Sequence, residues 1–302
     1  MQELDLSLRC EPHTAGSALR RWTAALTRSG IEGAGGDVRR LMAAVLGAPA
    51  SAILSEPGRP LTDAQLATLS SYVARRANHE PVSRILGCRD FYGRSFTISS
   101  ATLDPRPESE TLIAAALEIA REEGWERPRI LDVGTGSGCL LLTLLCELGN
   151  ARGTGTDISV AALAIARANA RRLGVTERAS WLRTDALETV SGPFHILIAN
   201  PPYVRTGEIA HLEPEVCNFD PISALDGGAD GLALYRRLVP RIPSAVPNGW
   251  VVLEVGCDQA DEVMSIISRG GGNVDATAIR VRLDVSGKRR CVAVKTRAGA
   301  YA

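Results

Sequence analysis

The chain has no Cys-x-x-Cys pair, no excess of either charge and no apolar run long enough to span a bilayer. Its seven cysteines (10, 88, 139, 146, 217, 257 and 291) are odd in number and scattered. Such spacing supplies neither a disulfide framework nor a zinc site, so a reduced cytoplasmic protein without metal is expected. Cys139 and Cys146 fall on one expected helix and read as core side chains. Lys plus Arg equals Asp plus Glu at 34 each, which argues against tight nucleic-acid binding through bulk charge and leaves only a local basic patch open. The apolar run Cys139–Cys146 is far too short for a membrane span, and Met1–Leu6 has no basic stretch leading into an apolar core. Neither membrane insertion nor a signal peptide is expected. The four histidines (13, 79, 195 and 211) form no cluster, and His195, inside an apolar run, reads as a packed core residue rather than a base. There is no internal repeat and no low-complexity segment.

A chain of 302 residues with 45% hydrophobic and 23% charged composition has room for two globular domains. Apolar residues recur at helix spacing in Ser17–Arg28, Asp37–Leu46 and Thr62–Ala77, and Thr62-Asp63-Ala64-Gln65 resembles a capping box. Residues 1–82 are therefore expected to form a small all-α domain. Over 83–108 the character changes. Ile85-Leu86-Gly87 followed by Phe91–Ile98 reads as a β-hairpin turning at Gly93, and Leu103-Asp104-Pro105-Arg106-Pro107-Glu108 as a stiff extended connector.

From Ser109 strands and helices alternate. Strands are expected at Arg129–Val133, Arg152–Thr156, Ala179–Arg183, Phe194–Ala199, Gly249–Val255, Asp275–Leu283 and Arg290–Lys295. Helices are expected at 109–123, 138–148, 160–173, 231–242 and 259–268. This is an α/β pattern, a mostly parallel seven-stranded sheet covered by helices on both faces, with a closing hairpin adding an antiparallel edge.

Two segments carry chemistry. Gly134-Thr135-Gly136-Ser137-Gly138 follows the strand ending Asp132-Val133, and its glycines permit a sharp turn and close approach to a ligand. It is not the dinucleotide fingerprint, because Cys139 stands at the third glycine, and it lacks the Gly-Lys-Ser/Thr of a P-loop. A G-x-G-x-G loop after an acidic strand end is the common form in S-adenosylmethionine (SAM) enzymes. Asp157 ends the next strand, where a carboxylate can accept from both ribose hydroxyls of a nucleoside; its bland alternative is a helix cap, which Ser159 could equally supply. Asp185 and Ala186 follow the third strand, a usual place for contacts to an adenine ring.

The second segment is Asn200-Pro201-Pro202-Tyr203, directly after the buried strand Phe194–Ala199. Two prolines remove two N–H donors and stop the strand ladder. What remains is one amide, outward carbonyls and an aromatic face, groups suited to a planar NH₂ rather than to a metal or acyl group. The Asn200 oxygen and the Pro201 carbonyl can accept both N–H groups of an amide, with Tyr203 over one face. The nitrogen lone pair then turns toward a methyl donor, and positioning and desolvation supply most of the catalysis.

Asn-Pro-Pro-Tyr occurs in several amino-methyltransferase families. Here it is joined by Glu80-Pro81-Val82-Ser83-Arg84-Ile85-Leu86-Gly87, Phe91-Tyr92-Gly93, Pro105-Arg106-Pro107-Glu108-Ser109-Glu110 and Ala224–Leu232. Together, in order and over nearly the whole chain, these segments resemble the peptide chain release factor glutamine-N5 methyltransferases. The resemblance implies a SAM-dependent enzyme with a Rossmann-like methyltransferase domain over 109–302 and a substrate-recognition domain over 1–82. Its expected partners are class-1 release factors, methylated on the glutamine of their Gly-Gly-Gln loop, with no stable nucleic-acid binding, no membrane and a monomeric state. It further implies that Gly134, Thr135, Gly136, Ser137, Gly138 and Asp157 hold SAM with Asp185 and Ala186 near the adenine. Asn200, Pro201, Pro202 and Tyr203 would bind the glutamine, Asn200 also bordering the cofactor, and Arg106 and Glu108 would line the mouth. The alternative reading of the last pair is an ion-paired linker.

The chain departs from the family pattern at Ala186, where a larger aromatic is common, at Cys217, where Arg is usual, in Asn218-Phe219-Asp220-Pro221, and at Lys288. Two other readings compete: an amino-methyltransferase acting on a nucleobase, against which the neutral charge speaks, and an inactive SAM-binding scaffold, against which the intact loop and tetrad speak.

Overall fold

In the computed structural model, residues 13–270 and 274–297 are described; Met1–Leu6 and Cys10 lie outside them. The residues divide into two compact units, one holding the chain up to Gly87 with Pro214–Phe219, the other Cys88–Glu213 and the chain from Asp220.

In the first unit, threonine caps start two of the helices and left-handed glycines end two. Helix α1 (Ala15–Arg28) opens on a capping box between Thr14 and Ser17. Helix α2 (Ala34–Leu46) stops at Gly47, whose φ of 58° is left-handed. After α3 (Ala50–Ser55), helix α4 (Asp63–Ala77) opens on the expected box, with Gln65 N donating to Thr62 Oγ1 at 3.2 Å and Thr62 N to Gln65 Oε1 at 3.0 Å. Each such cap contributes about 1 kcal/mol. Trp22, Leu26, Leu41, Met42 and Leu69 form the core. Ile85 joins this core from α5 (Val82–Leu86), which Pro81 precedes and Gly87 terminates at φ 69°. Ile85-Leu86-Gly87 is thus helix and cap, not the opening strand of the hairpin. In the segment 214–219, Glu215 accepts from Arg76 Nη1 at 3.0 Å, and Arg76 Nε donates to Asp37 at 2.7 Å.

The hairpin lies in the second unit, β1 (Cys88–Phe91) against β2 (Arg94–Thr97). Tyr92 and Gly93 both have positive φ, 48° and 70°, the two-residue turn that matches strand twist. The main sheet has seven strands in the order β5-β4-β3-β6-β7-β9-β8. They are β3 (Arg129–Val133), β4 (Arg152–Asp157), β5 (Ala179–Arg183), β6 (Ile196–Ala199), β7 (Trp250–Glu254), β8 (Val274–Leu283) and β9 (Arg289–Thr296). The first five run parallel; β9 pairs antiparallel with both β7 and β8. The antiparallel edge is β8, and the last strand of the chain sits inside it. His195 precedes β6 rather than lying within it; it is half-buried against the Trp125 ring, and its Nδ1 accepts from Arg129 N at 3.0 Å.

Residues of β3, β6 and β7 are buried on both faces, as parallel strands under helices must be. Ile130, Ile196, Ile198 and Val252 pack on one side with α6 (Glu110–Glu122) and α7 (Cys139–Glu147). Leu131, Leu197, Val251 and Leu253 pack on the other with α9 (Ala233–Leu238) and α10 (Ala260–Gly270), while α8 (Val160–Arg172) follows β4. The helix expected over 231–242 breaks after Leu238 into a 3₁₀ turn and a last single turn, because Pro240 and Pro243 lack N–H donors. No helix among the described residues is long and apolar enough to cross a membrane.

From β3 the chain builds outward through β4 and β5, then returns to the other flank of β3 as β6. Such a switch point leaves a crevice at the carboxyl ends of the strands. The glycine loop leaves β3 and the Asn-Pro-Pro-Tyr tetrad leaves β6, side by side.

Candidate active site

A cavity of about 320 Å³ opens at this switch point. Its wall brings together Gly134, Thr135, Gly136 and Ser137, Asp157, Asp185 and Ala186, the first three tetrad residues Asn200, Pro201 and Pro202, and Arg106. Asparagine and glycine loop therefore share one chamber. The sheet register explains it, since Val133 pairs with Ala199 one residue before each loop.

The glycine loop is held by its own neighbourhood. Gly134 and Gly136 have φ of 70° and 55°, backbone that a side chain rarely adopts. Thr135 N donates to Thr156 O at 2.8 Å, and Thr135 Oγ1 to the buried Asp132 at 2.6 Å. Asp157 accepts from Gly136 N at 2.9 Å on one oxygen and from Ser159 N at 2.8 Å on the other. Helix α8 is capped by Ser159, which accepts from Ala162 N at 3.2 Å. An ionised carboxylate has about four acceptor positions, so Asp157 keeps two for a ligand. Gly138 stands outside the wall. Its φ of 80° is left-handed at the start of α7, and a Cβ there would also lie 2.9 Å from Leu142, so the glycine serves the helix start and its packing.

Burial pushes the Asp132 carboxyl up to about 7, partly opposed by the Thr135 bond. Burial likewise pushes the Cys139 thiol, in the cavity wall, up to about 12; it stays a neutral thiol.

Across the chamber, Asp185 is ion-paired to Arg237 at 2.6 Å, both half-exposed. Ala186 sits at φ 49°, with Ile158 and Leu234 adding apolar wall. Arg106 donates to Asp220 at 2.5 Å, and Asp220 also accepts from Asp104 N at 3.1 Å. Arg106 thus does both things considered for it: it is ion-paired and it lines the cavity.

Like Gly138, Tyr203 and Glu108 stand outside the wall. The Tyr203 ring packs against the core behind the tetrad, its hydroxyl 3.4 Å from Glu254 Oε1 and 3.4 Å from Arg290 Nη1. Glu108 lies in the 3₁₀ turn Pro107–Ser109, outside the wall.

Sequence reading gives no site role to Ser109, Glu254, Asp220, Gln259 or Arg290. Asn200 Nδ2 donates to Ser109 Oγ at 3.2 Å, and Ser109 Oγ donates to Glu254 Oε2 at 2.5 Å. Glu254 ends a fully buried strand and is itself 1% exposed. A carboxylate closing an apolar strand was the signal available. Among the described residues no group of His, Cys, Asp and Glu is arranged to hold a metal.

Residues 17–87 match the family model of the PrmC N-terminal domain, and residues 108–213 the methyltransferase small domain. A release factor glutamine methyltransferase of Rhodospirillum rubrum is 42% identical over 94% of this chain and 85% of its own length. One of Bradyrhizobium diazoefficiens is 39% identical over 92% of this chain and 94% of its own. Among solved structures, the catalytic domain of hMettl16, in complex with the MAT2A 3'UTR hairpin 6, aligns with a TM-score of 0.55 at 13% identity, over 79% of this chain and 85% of that one. At that identity the likeness is one of fold. With relatives this similar along nearly its full length, the chain belongs to the release factor glutamine methyltransferase family.

Proposed function

We propose that the protein transfers a methyl group from SAM to the side-chain amide nitrogen, N5, of the glutamine in the Gly-Gly-Gln loop of class-1 release factors, in the cytoplasm. The observation that carries the site is the meeting of the Asn200 amide and the glycine loop in one cavity. Family membership supports the substrate.

The wall suits SAM. Gly134 and Gly136 bring backbone close, Asp157 retains acceptor capacity for a ribose diol, and Ile158, Ala186 and Leu234 offer an apolar berth for adenine. When bound, SAM supplies a methyl group already activated by the sulfonium. The protein's own residues then have to hold and orient the acceptor. Asn200 Oδ1 takes one N–H of the target amide and the Pro201 carbonyl takes the other, which turns the nitrogen lone pair toward the methyl. Tyr203 supports the tetrad from behind, and Arg106 stiffens the mouth through Asp220. Residues up to Gly87 are assigned to recognition of the protein substrate, as a monomer.

The test is purified protein with tritiated SAM and either release factor or bulk RNA. Label on the Gly-Gly-Gln peptide is expected; label on RNA alone overturns the reading. Asn200→Ala should abolish transfer and leave SAM affinity within about twofold; equal loss of both contradicts the role given to Asn200.

A further inference from the structure

The bonds behind Asn200 decide which end of its amide faces the cavity. A hydroxyl has one hydrogen, and a carboxylate only accepts. With Ser109 Oγ 2.5 Å from Glu254 Oε2, that hydrogen is committed to Glu254. Ser109 can then only accept, and the group it accepts from is Asn200 Nδ2 at 3.2 Å. An amide is planar with nitrogen and oxygen on opposite sides, so Oδ1 is turned the other way.

We propose that Ser109 and Glu254 are positioning residues for methyl transfer: through the Ser109 hydroxyl, Glu254 holds the Asn200 amide in the one orientation that presents an acceptor to the target glutamine. The inference rests on the assignment of Asn200 as the residue that holds that glutamine.

Everything around Glu254 is arranged to keep it in place. Ser109 is 3% exposed and Glu254 1%. Tyr203 hydroxyl stands 3.4 Å from the other carboxylate oxygen, Arg290 Nη1 3.4 Å from that hydroxyl, and the Tyr235 hydroxyl donates to the Glu254 backbone carbonyl at 2.7 Å. Asp284 in turn accepts from Arg290 Nε at 3.2 Å.

The arrangement has a protonation dependence. Burial pushes the Glu254 carboxyl up to about 7; Ser109, Arg290 and Tyr203 pull it down, and the Glu108 charge raises it. The other groups facing it stay fixed near neutrality: Arg290 is cationic, while burial raises the Tyr203 and Tyr235 hydroxyls and the Cys139 and Cys291 thiols far above it. Below its pKa, Glu254 becomes a donor to Ser109. The serine hydrogen is released and can go to Asn200 Oδ1, which favours the reversed amide. An NH₂ then faces the NH₂ of the target, and transfer fails. Asp132 titrates in the same range but is bonded to the glycine loop, so its effect belongs to SAM affinity.

The experiment measures kcat on intact release factor at saturating SAM between about pH 6 and about pH 8.5, a window around the titration of a raised carboxyl. The wild type should lose activity as pH falls through about 7. Ser109→Thr, which keeps the hydroxyl, should retain both rate and acid limb. Ser109→Ala should lose roughly tenfold or more in kcat at high pH and show a flattened acid limb, with SAM affinity unchanged and Tm lowered because Glu254 and Asn200 each lose a partner. Ser109→Cys, a poor donor and acceptor of similar size, should repeat the loss. Wild-type rate with an intact acid limb in Ser109→Ala overturns the inference, as does parallel loss of rate and SAM affinity. Asn200→Ala separates the two levels. Retained transfer there overturns the reading of Asn200 and this inference with it. Abolished transfer beside an unaffected Ser109→Ala overturns only this one.

Discussion

The glycine loop and the asparagine loop leave neighbouring parallel strands, yet they are held in opposite ways. Thr135, Gly136 and Asp157 find their partners on β3, β4 and the first residues after them, none more than 24 positions apart along the chain. The longer tie on the loop is Asn169 Nδ2 donating to Ser137 O at 2.8 Å from 32 positions away. The tetrad is held by residues from distant segments: Ser109, 91 positions away, Glu254 at 51, Gln259 at 56 and Arg290 at 87. One loop is mainly a local device of backbone geometry, tied once to helix α8 through Asn169. The other is assembled by the tertiary fold, and only the completed sheet orients it. A cofactor common to many enzymes can be met by a portable motif, whereas an acceptor amide needs a scaffold built around it.

That contrast can be broken from the glycine side first. Asp157→Ala leaves Gly136 N and Ser159 N without acceptors and removes the proposed contact to the ribose, so SAM affinity should fall about 100-fold or more by calorimetry, from losses of about 1–3 kcal/mol per stranded group. Retained affinity would show that the loop does not depend on its local bonds. A smaller effect is expected from the asparagine side. A Cβ at Gly227 would lie 2.7 Å from the Pro202 carbonyl oxygen and 2.7 Å from that of Gly231, both backbone. Gly227→Ala should therefore lower kcat/KM for release factor about tenfold, an overpacking cost of about 1–3 kcal/mol, while SAM titration stays unchanged. A drop in SAM affinity of the same size would mean that the loops are not independently held. The smallest effect belongs to the half-exposed pair Arg237–Asp185, for which Arg237→Ala should change SAM affinity less than about fivefold, as solvent-screened pairs contribute about 0–1 kcal/mol.

The same contrast explains what could be read from the sequence. Strands β3 and β5 both span their expected residues: β3 is an apolar run buried under helices after its exposed Arg129, while β5, at the sheet edge, is only partly buried and was marked by its place in the alternation. The glycine loop and Asp157 were legible as a motif, since most of their bonds are local. Ile85 was read as a strand because a short apolar run carries no period; its helix is set by Pro81 before it and by burial against the α-helical core. Ser109 reads as a helix start within the Pro105–Glu110 segment, and Glu254 as a strand end. Their pairing depends on where β7 lands in the sheet, which no local pattern encodes. Tyr203 was legible as part of the tetrad, but its direction follows from Glu254 and Arg290 and so was not.

The adjacency of β3 and β6 acts as a ruler. Neighbouring strands in a sheet stand about 4.8 Å apart, a spacing set by backbone hydrogen bonds and indifferent to side-chain identity. The glycine loop and the Asn200 loop, mounted on these neighbouring strands, inherit that interval. A substitution at the surface of the same unit, as at the exposed Lys288, leaves that interval unchanged.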